Sequence, residues 1–260
     1  MQTITLTTDF GIRDWFVGTM KGVVLGINPR AAIVDLTHEI PPGDIRAGAF
    51  ALMAGYRYFP KGTVHVVVVD PGVGGRRRAI AVQTANYFFV GPDNGVLSWA
   101  LAREKIKAIQ QLENLKHFLK TISQTFHGRD IFAPVAAHLS RGLPLKQLGR
   151  ELKNYARLPW PELARQRNEI RGEVVYIDRF GNAITNISAE LIPKKRKITC
   201  ETLGKRKVRC LLTSFYGAVP ANSPVAVIGS SGFLEIAINL GSTAEKYRLE
   251  VGNPVTIRTG

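Results

Sequence analysis

The segment Thr125-Phe126-His127-Gly128-Arg129-Asp130 sets an imidazole, a guanidinium and a carboxylate side by side, just ahead of an apolar run. Such a set can hold a polar substrate or a water molecule and move a proton. A second segment, Asp70-Pro71-Gly72-Val73-Gly74-Gly75-Arg76-Arg77-Arg78, opens on a carboxylate and closes on guanidinium groups. The glycines between them let the backbone approach a ligand closely. It is not a dinucleotide fingerprint, because the last glycine of G-x-G-x-x-G would fall at Arg77, and no Gly-Lys-Ser/Thr follows to make a phosphate loop. Both segments also have plainer readings. Asp130 can cap the helix that follows, and the glycine turn can be a tight strand connection with solvated arginines. Of the five histidines, His127 is the one placed between a turn glycine and charged neighbours. His65 falls inside a strand pattern and His117 in a polar segment, which suits structural or solvated roles.

Three more groups of residues could carry chemistry. Asp9, Asp35 and Asp70 each follow a strand pattern, and in an open α/β sheet ligands bind beyond the carboxyl ends of the strands; helix capping and turn formation are the plain alternatives. Gly91-Pro92-Asp93-Asn94-Gly95 adds a turn carboxylate. In the last third, Asp178-Arg179-Phe180-Gly181-Asn182 offers a carboxylate, an aromatic face and an amide. Gly229-Ser230-Ser231-Gly232 offers small hydroxyls and backbone N–H groups, and Phe215-Tyr216-Gly217 offers aromatic surface.

The elements that must position these residues alternate in the first half. Strands are expected at 4–8, 32–35, 63–69, 78–84 and 87–90, with 63–69 (TVHVVVV) β-branched enough to be buried on both faces. Helices are expected at 15–27, with Asp14 as N-cap, and at 44–58, 95–103 and 131–139. That alternation predicts an open, mostly parallel α/β sheet with flanking helices, a Rossmann-like arrangement, over residues 1–150. A polar, arginine-rich stretch with Pro159 and Pro161 reads as a linker over 151–170. Short strands at 172–177, 197–201, 207–212, 225–228, 234–238 and 254–257 then predict a small antiparallel, β-barrel-like domain over 171–260.

Composition sets the outer bounds. The chain has 260 residues, 45% hydrophobic and 21% charged, with a net charge of +15. That is a globular composition and excludes a disordered chain. No stretch reaches the roughly 18 apolar residues of a membrane span. The N-terminal MQTITLTTDFG lacks a secretory pattern, so a soluble cytoplasmic protein is expected. The positive charge is spread along the chain, and the basic runs 76–78, 194–197 and 205–207 have no interleaved aromatic residues. That argues against specific nucleic-acid binding. Cys200 and Cys210 flank an expected hairpin at Gly204 and should be free thiols in a reducing compartment. Asn186-Ile187-Ser188 is a glycosylation sequon without a secretory signal to go with it.

Taken together, TTDFG at 7–11, VDLTHEI at 34–40, VVDPGVG at 68–74, GPDNG at 91–95, TFHGRDIFAP at 125–134, DRFGNAITNI at 178–187 and GSSGFLEIAIN at 229–239 span nearly the whole chain. In this order they resemble the S-adenosylmethionine hydroxide adenosyltransferases, relatives of the fluorinating and chlorinating enzymes that use the same substrate. The resemblance implies hydrolysis of S-adenosylmethionine to adenosine and methionine, with no cofactor and no metal. It also implies a homotrimer whose sites lie between the N-terminal domain of one subunit and the C-terminal domain of the next. The catalytic triad it implies is Asp70, Arg77 and His127, with Arg76 and Arg78 flanking the arginine. Asp9 would bind the ribose diol and Asp178 the methionine ammonium. Ser230 and Ser231 would take the methionine carboxylate, and Phe180, Phe215 and Asn182 the adenine. The halogenating relatives lack this triad, and Gly128 stands where the fluorinating enzyme has a halide-binding serine, so water is the expected nucleophile. Ser231 replaces an arginine of that enzyme, which leaves the carboxylate to hydroxyls and N–H groups.

Two alternatives rest on other residues. Asp9, Asp35, His38, Asp70 and Asp93 could hold Mg²⁺ for phosphoester hydrolysis. The excess of lysine and arginine could serve a nucleic-acid-binding module.

Overall fold

The protein is described here from a computed structural model, which describes residues 2–192, 198–203 and 206–259. The basic run 194–197, Gly204 and Lys205 lie outside the described residues. The chain divides into two compact units, Met1–Pro159 and Trp160–Gly260.

Unit 1 runs β1 (Thr3–Thr8), α1 (Phe16–Ile27), β2 (Ala32–Thr37), α2 (Ile45–Gly55), β3 (Val64–Val68), β4 (Ala79–Thr84), β5 (Phe88–Pro92), α3 (Ser98–Leu101), β6 (Ile106–Gln111) and α4 (Ala133–Ser140). The sheet order is β2-β1-β3-β5-β4-β6. The first four strands in that order pair in parallel, and β4 runs antiparallel to both neighbours. A short turn links β4 to β5, closed by Thr84 N–H on Tyr87 O at 2.9 Å, and a turn that short permits only antiparallel pairing. All of β3 is buried, as its β-branched run predicts. Ile4, Leu6, Val64, Val66 and Val68 share one core with Val17, Met20 and Val24 of α1 and Val135 and Leu139 of α4. Each such aliphatic side chain contributes about 1.5–3 kcal/mol on burial.

Several local expectations change. Asp14 does not cap α1; Trp15 occupies the N-cap without a side-chain bond. Asp44 does cap α2, accepting from Ala47 N–H at 2.9 Å. The helix expected from Gly95 is confined to Ser98–Leu101. Asn94 is tied to the end of β3 through Nδ2 to Val69 O at 2.8 Å, and Gly95 takes φ +102°, so helical geometry begins only beyond them. The antiparallel edge strand β6 is new.

Unit 1 continues past α4 along the sheet edge. Leu152 N–H donates to Ile109 O at 2.8 Å, and Gln111 N–H to Arg150 O at 2.9 Å. Ala156 N–H reaches Asp93 Oδ1 at 2.6 Å and Leu158 N–H reaches Ser98 Oγ at 3.0 Å. The Trp99 indole N–H closes on Leu158 O at 3.0 Å. The arginine-rich stretch is therefore bonded to the sheet edge and to α3 as far as Leu158.

Unit 2 contains β7 (Ala164–Gln166), β8 (Glu169–Ile177), β9 (Ala183–Ser188), β10 (Ile198–Leu203), β11 (Arg206–Leu211), β12 (Pro224–Ile228), β13 (Phe233–Ile238), α5 (Thr243–Tyr247) and β14 (Pro254–Thr259). The path β11-β10-β14-β8-β9-β13-β12 is antiparallel throughout, with β7 beside β8. An isolated bridge from Leu212 to Ala226 joins the two ends of that path. Val174, Ala183, Ile187, Leu234, Ile236, Val255 and Ile257 form its core. Strand β9 was hidden behind the turn at Gly181. It buries Asn186, whose amide donates to Pro161 O and Glu162 O at 3.1 Å each, so the sequon is a packing site. Cys200 and Cys210 are register partners across β10 and β11, and Cys210 is a buried free thiol.

Ser98 joins α3 to the segment at Leu158 by accepting Leu158 N–H while donating to Gly95 O at 2.6 Å. Ser98→Ala should lower unfolding free energy by about 1–3 kcal/mol, the cost of leaving buried polar groups unpaired. Chemical denaturation that shows no change would contradict this account of the segment.

Candidate active site

Strands β1 and β3 are parallel neighbours, and Thr8 and Val68 are register partners at their carboxyl ends. Asp9 follows the first directly and Asp70 lies two residues beyond the second, so the pairing brings both carboxylates to one rim of the sheet. Asp35 is different. It lies inside β2, paired with Leu6, and is bonded to Lys21 Nζ at 2.6 Å.

The glycine turn after Asp70 brings His127 to the same rim. Gly74 has φ +75°, and a side chain there would collide with the Gln124 carbonyl. Its absence allows the 124–128 segment to seat against the turn. Asp130 holds that segment from inside the fold. It is fully buried and accepts Ser123 N–H at 2.7 Å and Arg129 Nε at 2.6 Å. It therefore closes the loop that carries His127 rather than capping the helix. His127 opens a π-helical turn, Gly128–Phe132, that leads into α4.

Of the three consecutive arginines, Arg77 lies between the other two groups. Its Nε donates to Asp70 Oδ1 and Oδ2 at 3.0 and 2.9 Å, and its Nη2 to Asp70 Oδ2 at 2.6 Å. Nη2 also lies 2.5 Å from His127 Nδ1. Arg78 instead pairs with Asp93, Nε to Oδ2 at 2.7 Å, and Arg76 is exposed. A guanidinium only donates, so Nδ1 must accept, and the proton of a neutral His127 ring sits on Nε2. Burial first, and then the Arg77 charge, hold the His127 imidazole below its ordinary value, against the opposing pull of Asp70 and Asp130.

Asp9, Asp70 and His127 line a cavity of about 490 Å³ whose apolar wall includes Phe10, Phe16, Val68, Phe126 and Gly128. The three phenylalanines form a cluster with ring centroids 5.2–5.7 Å apart. Sequence reasoning passed over them, although Phe10 and Phe126 are the direct neighbours of Asp9 and His127. Asp9 is steadied by Gly43 N–H, which donates to Oδ2 at 2.8 Å. The five residues of the magnesium alternative do not converge. Asp35 pairs with Lys21, Asp70 with Arg77 and Asp93 with Arg78. Among the described residues no group of three or more His, Cys, Asp or Glu could hold a metal ion.

The remaining expected site residues lie in unit 2. Asp178 Oδ1 accepts the N–H groups of Phe180 and Asn182, and Oδ2 accepts Asn182 Nδ2, all at 2.9 Å. This turn leaves the Phe180 ring 75% exposed. Phe215 is 59% exposed, beside Tyr216, whose hydroxyl donates to Glu235 Oε2 at 2.7 Å. Burial first, then Asp178, raises the Glu235 carboxyl above its ordinary value despite the Tyr216 hydrogen bond. Burial and the bond to Glu235 raise the Tyr216 phenol in turn. Any side chain at Gly229 would overlap the Glu235 carboxylate, so Glu235 lies directly against the loop that carries Ser230 and Ser231. Ser230 is exposed, and Ser231 Oγ is buried without a hydrogen-bond partner among the described residues. The sequence marked Tyr216 only as aromatic surface, and its bond to Glu235 was missed because a glutamate within an apolar strand pattern carries no local signal of its neighbours.

A mostly parallel α/β unit with a polar, phenylalanine-walled cavity at its strand ends, joined to an antiparallel β unit, defines the class. Residues 4–149 match the SAM hydroxide adenosyltransferase N-terminal domain and residues 172–256 the C-terminal domain; the chain belongs to this family. It is 40% identical to the (R)-S-adenosyl-L-methionine hydrolase of Thermus thermophilus over 99% of this chain and all of that protein. It is 28% identical to a fluorinase of Nocardia brasiliensis, covering 99% of this chain and 97% of the other. The crystal structure of an uncharacterized conserved protein from Thermotoga maritima is similar with a TM-score of 0.93 at 37% identity, covering 98% of this chain and 99% of that one. No helix among the described residues is long and apolar enough to cross a membrane.

A depressed His127 has a consequence for stability. The folded state keeps the ring neutral at pH values where the unfolded chain binds a proton. Its contribution is therefore complete above the ordinary imidazole value of about 6.5 and declines as pH falls below it. In an NMR titration the His127 ring should titrate below about 6.5; a midpoint above that value would contradict the Arg77–His127 contact.

Proposed function

We propose that the protein hydrolyses S-adenosyl-L-methionine to adenosine and L-methionine. The observation that carries this reading is the Arg77 guanidinium bonded to both Asp70 and His127 beside a cavity of nucleoside-compatible size. Family membership and the name of the Thermus relative support it.

In this reading Asp9 accepts the ribose diol, and the wall of Phe10, Phe16 and Phe126 excludes bulk water. A water molecule held near Arg77 attacks the ribose 5′ carbon from the side opposite sulfur. The C5′–O bond forms as the C5′–S bond breaks, and the bonding pair returns to sulfur, which leaves as the neutral thioether of methionine. A sulfonium is already an activated leaving group, so no acid is needed to expel it. The site's task is to align the water and favour hydroxide character on it, and alignment alone can supply several kcal/mol. Arg77 supplies the positive charge. The single acceptor nitrogen of a neutral His127 is taken by Arg77, whereas the Asp70 carboxylate keeps a lone pair beyond its Arg77 bonds, so Asp70 is the acceptor for the proton that water gives up. The step requires no cofactor or metal.

The unit 2 residues complete the proposal. Asp178 would meet the methionine ammonium, Ser230 and Ser231 its carboxylate, and Phe180, Asn182 and Phe215 the adenine. In the homotrimer implied by the family resemblance they would serve the site of a neighbouring subunit. The exposed Phe180 and Phe215 rings and the unpartnered Ser231 hydroxyl support a ligand-binding role for this surface.

Removing Arg77 removes the preorganised charge at the nucleophile. Arg77→Ala and Asp70→Ala should each lower kcat for S-adenosylmethionine hydrolysis about 10²–10³-fold, the usual cost of deleting such a group, and His127→Ala should follow in the same direction. Steady-state rates close to wild type in all three variants would contradict the proposal.

A further inference from the structure

The VDLTHEI segment has no place in the chemistry above, yet its side chains lead to Thr8 and through it to the backbone of Phe10, the two neighbours of Asp9. His38 is buried, and its Nδ1 lies 2.8 Å from Thr8 Oγ1. Its Nε2 lies 3.0 Å from Asp35 Oδ1. Asp35 is 40% exposed at its side chain and takes Lys21 Nζ on the other oxygen. At the inner end, Thr8 Oγ1 accepts Phe10 N–H at 3.2 Å.

The proton positions follow from the groups. The Asp35 carboxylate 3.0 Å away favours a proton on His38 Nε2, and in that neutral tautomer Nδ1 accepts from the Thr8 hydroxyl. That hydroxyl still has a lone pair for Phe10 N–H. The contacts run from a loop at the cavity to a surface ion pair, the His38–Asp35 link being a close charge contact at 3.0 Å rather than a well-directed hydrogen bond. Partial burial opposes the charge on Asp35, but the contacts with Lys21 and His38 outweigh it and hold the carboxyl below its ordinary value.

Two further bonds tie the same loops together. Gly11 N–H donates to His38 O at 2.8 Å, and Gly43 N–H donates to Asp9 Oδ2. Residues 9–11 are therefore held from the backbone, from the Asp9 carboxylate and from the preceding side chain, all by the 38–43 segment. An exposed ion pair such as Lys21–Asp35 adds little stability by itself. Its position fixes the orientation of a buried imidazole.

We propose that Thr8, His38 and Asp35 are positioning residues for Asp9, acting through one another to set the carboxylate for the ribose diol. This rests on the ribose role of Asp9 proposed above. A site built to hydrogen-bond a hydroxyl discriminates strongly against an analogue that lacks it, so the geometry of Asp9 is read out by the preference for S-adenosylmethionine over its 2′-deoxyribosyl analogue.

The experiment measures kcat/KM for both substrates in wild type, Asp9→Asn, Thr8→Val, Thr8→Ser and Asp35→Asn, with a thermal melt of each. Wild type should favour the diol substrate at least about tenfold, and Asp9→Asn should lose that preference. Thr8→Val should lose most of it through a raised KM while the melt stays near wild type, and Thr8→Ser should restore it. Asp35→Asn, at the exposed end, should move the ratio in the same direction and carries the test if Thr8→Val does not fold. If Asp9→Asn loses the preference while Thr8→Val and Asp35→Asn retain it, the positioning proposal fails and the role of Asp9 survives. If Asp9→Asn keeps the preference, the role of Asp9 fails and the positioning proposal goes with it.

Discussion

The site depends on one constraint: a guanidinium that cannot lose its proton is held in a largely dry position between a carboxylate and an imidazole. The side chains of Arg77 and Asp70 are 11% and 4% exposed. Because Arg77 stays charged, Asp70 has a permanent cation beside it, and because Arg77 can only donate, the tautomer of His127 is decided. Lysine would not serve in its place. The two donors that reach Asp70 and the one that reaches His127 belong to a single rigid plane.

The rest of the fold follows from the need to hold that plane. Parallel pairing of β1 with β3 puts Asp9 and Asp70 at one rim. The missing side chain of Gly74 allows the 124–128 segment to close on the turn, and buried Asp130 keeps that loop shut. The 38–43 segment steadies Asp9 from the other side. Each support is a backbone or buried contact, which is how a site on loops acquires the precision of one on regular elements.

Much of this was legible in the sequence, for physical reasons. The β-branched run at 63–69 could only be a buried strand, and the carboxylates after strand patterns at Asp9 and Asp70 marked the rim. Asp35 misled because a strand's end cannot be read from its hydrophobic run alone: β2 continues through Thr37 and carries Asp35 to the outside. The choice of Arg77 over Arg76 and Arg78 rested on the family resemblance alone, since neighbouring residues in a turn differ only in direction. Glu235 shows the same limit in unit 2. Its alternation pattern is that of a core strand, and only the fold reveals Tyr216 above it and Gly229 against it. Strand β6 was overlooked because its lysine and glutamines reflect an edge that the arginine-rich stretch covers.

The net charge of +15 first suggests an anionic partner, yet a sulfonium substrate is a cation. Carboxylates at the proposed site, Asp9 and Asp70, answer that locally, and apart from Arg77 the surplus charge is a surface property. In the proposed reaction water is the nucleophile at the ribose 5′ carbon. Mass spectrometry of the products formed from S-adenosylmethionine in heavy-oxygen water containing chloride tests it most directly. Attack by water should give adenosine with one heavy oxygen at the 5′ position and unlabelled methionine. Chlorinated nucleoside, or adenosine without the label, would contradict it.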